Sequence, residues 1–191
     1  MTRFRSEKTD ATESFFRAFR ADSGAAARDY VVVALGHDEA TADEGLRLVR
    51  LGIARAAAAP AADFGDAVPL PEVGGHAVIL DGRDNPRCVW RTTGVAVQPL
   101  AAVDDAFAHD AGALAGREAW LAGQRALLAG RAGAEGLSFD DETDMAFLRF
   151  RIVWPRLFAD KPPGSDGDVF SIVAGSIPPT RPSGSGKQGG T

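Results

Sequence analysis

Arg91, Arg149 and Arg151 sit in runs otherwise dominated by apolar and β-branched residues. A guanidinium on a strand face carries five donors and a permanent charge, so it requires solvent, a carboxylate or an anionic ligand. Two uses are open. Acids of the scaffold can pair with these arginines, or the arginines can form a basic concavity with Trp90 or Trp154 that suits a base or a phosphate. Other constellations point to structure. His37 precedes Asp38 and Glu39, and His109 precedes Asp110, but neither has the H-x-x-x-H or C-x-x-C spacing that sets two ligands on one side of a metal. His37-Asp38-Glu39 reads as a helix N-terminus with Asp38 as cap. Asp140 to Asp144 lacks the glycine and spacing of an EF-hand loop and reads as a solvated turn. Residues 184–189, GSGKQG, fit G-x-G-x-x-G, yet no strand precedes them and Gln188 stands where a Walker A motif needs Ser or Thr. No serine lies in G-x-S-x-G. Cys88, the lone cysteine, falls in an expected strand and is assigned a buried apolar role. Neither a metal nor a cofactor is expected.

The elements that must position these residues follow from periodicity and punctuation. His76 to Asp81 and Arg87 to Val97 read as a hairpin around Gly82-Arg83-Asp84-Asn85-Pro86, apolar on both faces, as in a sheet covered on both sides; a barrel is one way to achieve that. Thr9 to Asp22 repeats Phe15, Phe16 and Phe19 at helical spacing and stops at Gly24. A short strand is expected within Asp29 to Gly36, then a helix over Asp38 to Leu51 closed by Gly52. Ile53 to Val68 is a strand or a loop edge, because alanine favours helix while Pro60, Gly65 and Pro69 interrupt it. Helices are expected over Ala101 to Ala108 and Gly116 to Ala132. Met145 to Trp154 alternates as a last strand, stopped by Pro155, with Arg149 and Arg151 on one face.

The chain has 191 residues, 45% hydrophobic and 25% charged, which fits one globular domain. We assign residues 1–9 to a flexible start, 10–159 to the domain, and 160–191 to a Pro/Gly/Ser-rich tail expected to be disordered, with residues 169–174 as its one apolar island, suited either to docking back on the domain or to contacting a partner. A net charge of -5 argues against a main role in wrapping nucleic-acid backbone but leaves room for a small basic pocket. Early positive charges have no apolar segment behind them, and no run reaches the roughly 20 apolar residues of a spanning helix. A cytoplasmic protein with no membrane partner is expected.

Certain stretches resemble the ASCH domain superfamily: Tyr30 to Gly36, Ala42 to Gly52, Leu70-Pro-Glu-Val-Gly74, Leu80 to Thr93, and Leu148-Arg-Phe-Arg-Ile-Val-Trp154. The resemblance covers roughly Asp10 to Pro155. It implies an α+β fold, a PUA-like β-barrel flanked by helices, and work on RNA or nucleosides: some members are ribonucleases and others hydrolyse N4-acetylcytidine. The family's catalytic pattern places a Lys two positions and a Thr five positions after a Gly, with a Glu from the second hairpin strand. Carried over from Gly52, those positions are Ala54 and Ala57; through Arg91-Thr92-Thr93, the Glu position is Gly94. None of these can exchange a proton or attack a carbonyl. The family's acidic stretch keeps one carboxylate, Asp110, and a family Glu before the last Arg-Phe is Leu148. The expectation is a catalytically degenerate ASCH domain, a pseudoenzyme rather than an enzyme, with no catalytic residues. It binds RNA, a nucleoside or a small molecule in its cleft through Arg55, Trp90, Arg91, Thr93 and Arg149. Two alternatives stay open: an amidohydrolase-like or ribonuclease activity using His76, Thr92 or Thr93, and a protein-interaction module.

Overall fold

In the computed structural model, which describes residues 2–5, 7–135 and 138–161, the chain runs through β1 (Arg3–Arg5), α1 (Asp10–Ser23), β2 (Val31–Ala34), α2 (Glu39–Arg50), β3 (Ala56–Pro60), β4 (His76–Leu80), β5 (Pro86–Pro99), α3 (Asp105–Asp110), α4 (Arg117–Glu135) and β6 (Asp144–Trp154). The helices start and stop where local chemistry directs. Thr9 caps α1 in a capping box with Thr12, and Gly24 ends it in the left-handed region at φ 66°. Asp38 caps α2 through the Thr41 N–H, with that N–H as the main cause of a lowered Asp38 pKa. His37-Asp38-Glu39 is therefore a helix start, as its residue types imply.

All six strands form one sheet in the order β1-β2-β4-β5-β6-β3. β2 runs parallel to β4 and the other neighbours are antiparallel, so the fold is α+β. The sheet curls into a half-barrel with β1 and β3 as its edges. The expected hairpin is β4–β5, in register at Val78↔Val89. Its turn is held by Asp81, which accepts the Arg83 and Asn85 N–H groups at 2.9 Å each and Arg87 Nε at 2.7 Å. Burial alone raises the Asp81 pKa, but these donors outweigh it and bring the carboxyl down to about 2.

Three apolar clusters account for both covered faces. Inside the curl, Trp90, Phe150, Ile152, Ile79 and Cys88 pack with Leu46 and Val49 of α2. Outside, α1 covers one patch with Phe16 and Phe19 on Val78, Leu80 and Val89. At the other end, α3 and α4 set Phe107, Trp120, Leu121 and Leu128 on Ala56, Ala58, Met145 and Phe147. Cys88 is fully buried, and burial pushes its thiol up to about 11, so it acts as a core residue.

Several elements differ from expectation. Arg3–Arg5, placed in a flexible start, forms edge strand β1 against β2. The Ala-rich stretch, expected as a strand or loop edge, is a strand despite alanine's helical preference, because five residues pair with β6 from Ala56↔Arg149 to Pro60↔Met145. Pro60 fits there because an edge strand tolerates a missing donor. The expected helix over Ala101 to Ala108 is instead a 3-10 turn at Leu100–Ala102 followed by α3, which Asp104 caps through the Phe107 N–H. Asp160, expected as the first tail residue, belongs to the domain, where it accepts Arg55 and the Ile152 N–H. The domain thus ends at Asp160. The expected tail disorder, the apolar island at 169–174 and the GSGKQG stretch at 184–189 lie outside the described residues.

Candidate ligand-binding cleft

Edge strands β1 and β3 do not pair with each other, and a cavity of about 880 Å³ lies between β1 and the turn that follows β3. Such a volume lies within the range of ordinary ligand sites, about 300–1,000 Å³. One wall is Arg3, Phe4 and Arg5 with His37; the other is Ala62 and Asp63, just past β3. The small residues Ala126, Gly130 and Ala134 of α4, together with Leu127, line it further. Phe4 reaches across to Phe64 with ring centroids 5.1 Å apart, so an apolar contact bridges the gap that hydrogen bonds leave open.

Leu127 also lines a narrower cavity of about 260 Å³ bounded by Ala54, Ala56, Ala57 and Ala58, by Thr41, Glu44 and Leu48 of α2, and by Trp120 and Gln124 of α4. Alanine makes this space by omission, since longer side chains on β3 would fill it. Gly45 lets α2 approach closely: a Cβ there would lie 2.4 Å from the Leu35 carbonyl oxygen.

Charge collects at the wider end. Arg3 donates Nε to the Gly36 carbonyl at 3.0 Å and has no carboxylate partner among the described residues. Arg5 pairs with Asp84 at 3.2 Å, and Arg131 with Asp63 at 2.7 Å. His37 lies 3.2 Å from the Asp38 carboxylate. At the narrow end, Oε1 of Gln124 is buried with no hydrogen-bond partner among the described residues. A buried acceptor left unpaired is costly, and a ligand donor would satisfy it. The two cavities, which share Leu127 in their walls, together offer apolar walls, an unpaired acceptor at Gln124 and guanidinium groups beside β1.

The residues named from the sequence as ligand contacts do not gather here. Arg55 is committed to the scaffold: it grips Asp160 with two bonds, at 2.7 and 2.6 Å, and donates to the carbonyls of Val49 and Ala54 at 2.7 Å each. Trp90 has 0% exposure and stacks on Phe150 at 4.2 Å inside the half-barrel, its Nε1 without a partner among the described residues. Thr93 is exposed at a bulge between Thr92 and Gly94. Arg149 donates to Asp110 at 2.9 Å and lies over the Phe107 ring. Arg91 is exposed beside His76 in a different cavity. Of the alternative catalytic candidates, Thr92 is buried and His76 is half-buried, its pKa lowered first by burial and then by Arg91.

The substituted positions also separate: Ala54 and Ala57 line the narrow cavity, whereas Gly94 lines another with Asp104, Phe107 and Arg149. Arg3, Arg5, His37 and Arg131 were not legible as a site, since they come from three separate parts of the chain. The alternation Arg3-Phe4-Arg5 is the signal that marks a short strand with one apolar and two charged positions. No group of three or more His, Cys, Asp or Glu able to hold a metal occurs among the described residues. No described helix is long and apolar enough to cross a membrane.

Comparison with known proteins agrees with this architecture. The family model described as ASCH domain matches residues 31–154. The ASCH domain of Lactobacillus crispatus superposes with a TM-score of 0.69 at 17% identity, covering 78% of this chain and 98% of that one. A protein of Enterococcus faecalis superposes with a TM-score of 0.66 at 22% identity, covering 74% of this chain and 86% of that one. No curated protein matches the sequence. With the matched residues spanning β2 to β6, the chain belongs to the ASCH domain family.

Proposed function

We propose that this ASCH domain is catalytically degenerate and binds a nucleoside or a short single-stranded segment of RNA in the cleft between β1 and β3. The observation that carries this reading is the composition of the cleft. Ala54 and Ala57 line its narrow part, where the resemblance places Lys and Thr, while Arg3, Arg5 and Arg131 stand at its wider end. Alanine supplies neither a base nor a nucleophile, and losing one positioned acid or base typically costs about 10²–10⁴-fold in rate. The apolar walls and the Gln124 acceptor suit a base, and the arginines suit phosphate oxygens.

Calorimetry with cytidine and with a short RNA, each at two salt concentrations, tests the binding. Heat is expected with at least one of them, and RNA affinity is expected to fall as salt rises. No heat with either removes the reading. Incubation with N4-acetylcytidine and with labelled RNA at high protein concentration is expected to leave both intact. Turnover of either would overturn the degenerate assignment and favour an active hydrolase.

A further inference from the structure

The outer face of the sheet carries two helix-covered patches, one under α1 and one under α3 and α4. Between them runs a cross-strand row fixed by register: His76 of β4 stands opposite Arg91 of β5, which stands opposite Arg151 of β6. Directly opposed residues project from the same face of a sheet, and like charges in that position repel. Most described arginines on this protein avoid such exposure by taking a carboxylate, among them Arg5, Arg47, Arg55, Arg83, Arg87, Arg125, Arg149 and Arg156. Arg91 and Arg151 have no ion-pair partner among the described residues.

His76 and Arg91 line a cavity of about 490 Å³ together with Arg28 of the α1–β2 loop, which also lacks an ion-pair partner among the described residues, and with Gly74 and Gly75. Gly74, at φ +90°, borders the Arg91 guanidinium: a Cβ there would sit in ordinary contact, 3.6 Å from an Arg91 terminal nitrogen. The carboxylate on this wall, Asp29, is already taken by Lys8 and by the Tyr30 N–H at 2.8 Å. Behind His76, α1 presents Phe16 and Phe19, with ring centroids 6.2 and 5.4 Å from the imidazole. Cationic and neutral donors thus face one cavity without a free acid among its lining residues.

We infer that this cavity is an anion site, in which Arg28, His76 and Arg91, extended along the sheet by Arg151, hold the oxygens of a phosphate group. It is lined by none of the residues of the β1–β3 cleft and stands whether or not that cleft binds a nucleoside. Burial, and then Arg91, hold the His76 imidazole below its ordinary pKa. An oxyanion seated among these groups favours the protonated ring and raises that pKa. The charged groups around the ring are Arg91 across the strand pair and Arg28 and Asp29 in the loop.

The test follows the His76 ring resonances of the full chain by NMR across pH, with inorganic phosphate against chloride at matched ionic strength. Phosphate is expected to raise the His76 pKa by about half a unit or more relative to chloride. Arg91→Gln is expected to abolish the difference and Arg151→Gln to reduce it, both with an unchanged amide spectrum elsewhere. A hexauridylate arm separates the two sources of phosphate oxygens: the same shift extends the site to polynucleotide backbone, and its absence confines it to free phosphate or phosphomonoesters. Equal His76 titrations in phosphate and chloride, or an undiminished phosphate effect in Arg91→Gln, would overturn the site.

Discussion

The centre of the sheet and its gap are made from opposite materials. At the centre, Trp90, Phe150, Ile79 and Ile152 fill the half-barrel, and the hairpin above them is locked by a carboxylate with four kinds of donor. At the gap, β3 offers Ala-Ala-Ala-Ala-Pro and β1 only three residues, so backbone pairing ends on both sides. Large side chains at the centre supply stability, and small ones at the gap leave room for a ligand. Removing atoms should therefore cost most at the centre and little at the gap.

Trp90→Ala gives the sharpest test. Deleting a fully buried indole that stacks on Phe150 at 4.2 Å should cost about 3–5 kcal/mol, measured by urea denaturation. The loss will be softened because the indole Nε1 has no partner to forfeit among the described residues. A cost below about 1 kcal/mol would show that the half-barrel interior can collapse and that its packing is not the main source of stability.

Asp81 comes next. Its folded pKa, about 2, lies below the ordinary aspartate value, so its stabilisation is complete above about pH 4 and is lost as pH falls toward 2. From that shift the contribution is about 2 kcal/mol. In Asp81→Asn, denaturation between pH 2 and pH 5 should show a correspondingly flatter dependence than in the parent. Parallel curves for the two proteins would mean that the turn holds without its carboxylate.

The centre was also the legible part. Gly, Asn and Pro between two apolar runs specify a hairpin locally, and Thr9, Asp38, Gly24 and Gly52 mark helix ends through their own side chains or backbone freedom. β1 was missed because three residues carry too little pattern, and β3 was ambiguous because its strand form depends on pairing with β6, some ninety residues further on. Arginine partners were illegible for the same reason. Arg55 finds Asp160 at a separation of 105 residues, and Arg149 finds Asp110 at 39. The resemblance located the frame and the alanines of the cleft, but the mouth is assembled from the N-terminal edge, the α2 cap, the turn after β3 and α4.

Arg149 and Arg151 bring the comparison down to one strand. They share a face of β6, yet Arg149 is held by Asp110 at 2.9 Å with Asp104 3.8 Å away, whereas Arg151 has no acid among the described residues. Arg149→Gln should cost about 0.5–1 kcal/mol, since the pair is partly exposed, and the cost should shrink in high salt. Arg151→Gln should lie within about 0.5 kcal/mol of the parent. A larger loss at Arg151 would mean that its charge serves the fold.

Gln124→Leu carries the smallest expected change in stability and separates the two regions most directly. In the free protein the Oε1 acceptor is buried without a partner, so replacing the amide with an apolar group of similar size removes an unmet polar group. Stability should be unchanged or rise by up to about 1 kcal/mol. Binding should move the other way: a ligand whose donor meets Gln124 loses that bond, and calorimetry should show weaker affinity for the nucleoside or RNA. If stability falls by more than about 1 kcal/mol, the amide serves the scaffold and the cleft loses its internal polar group. If stability rises while affinity stays the same, the ligand does not reach the narrow cavity and is held at the arginine mouth alone.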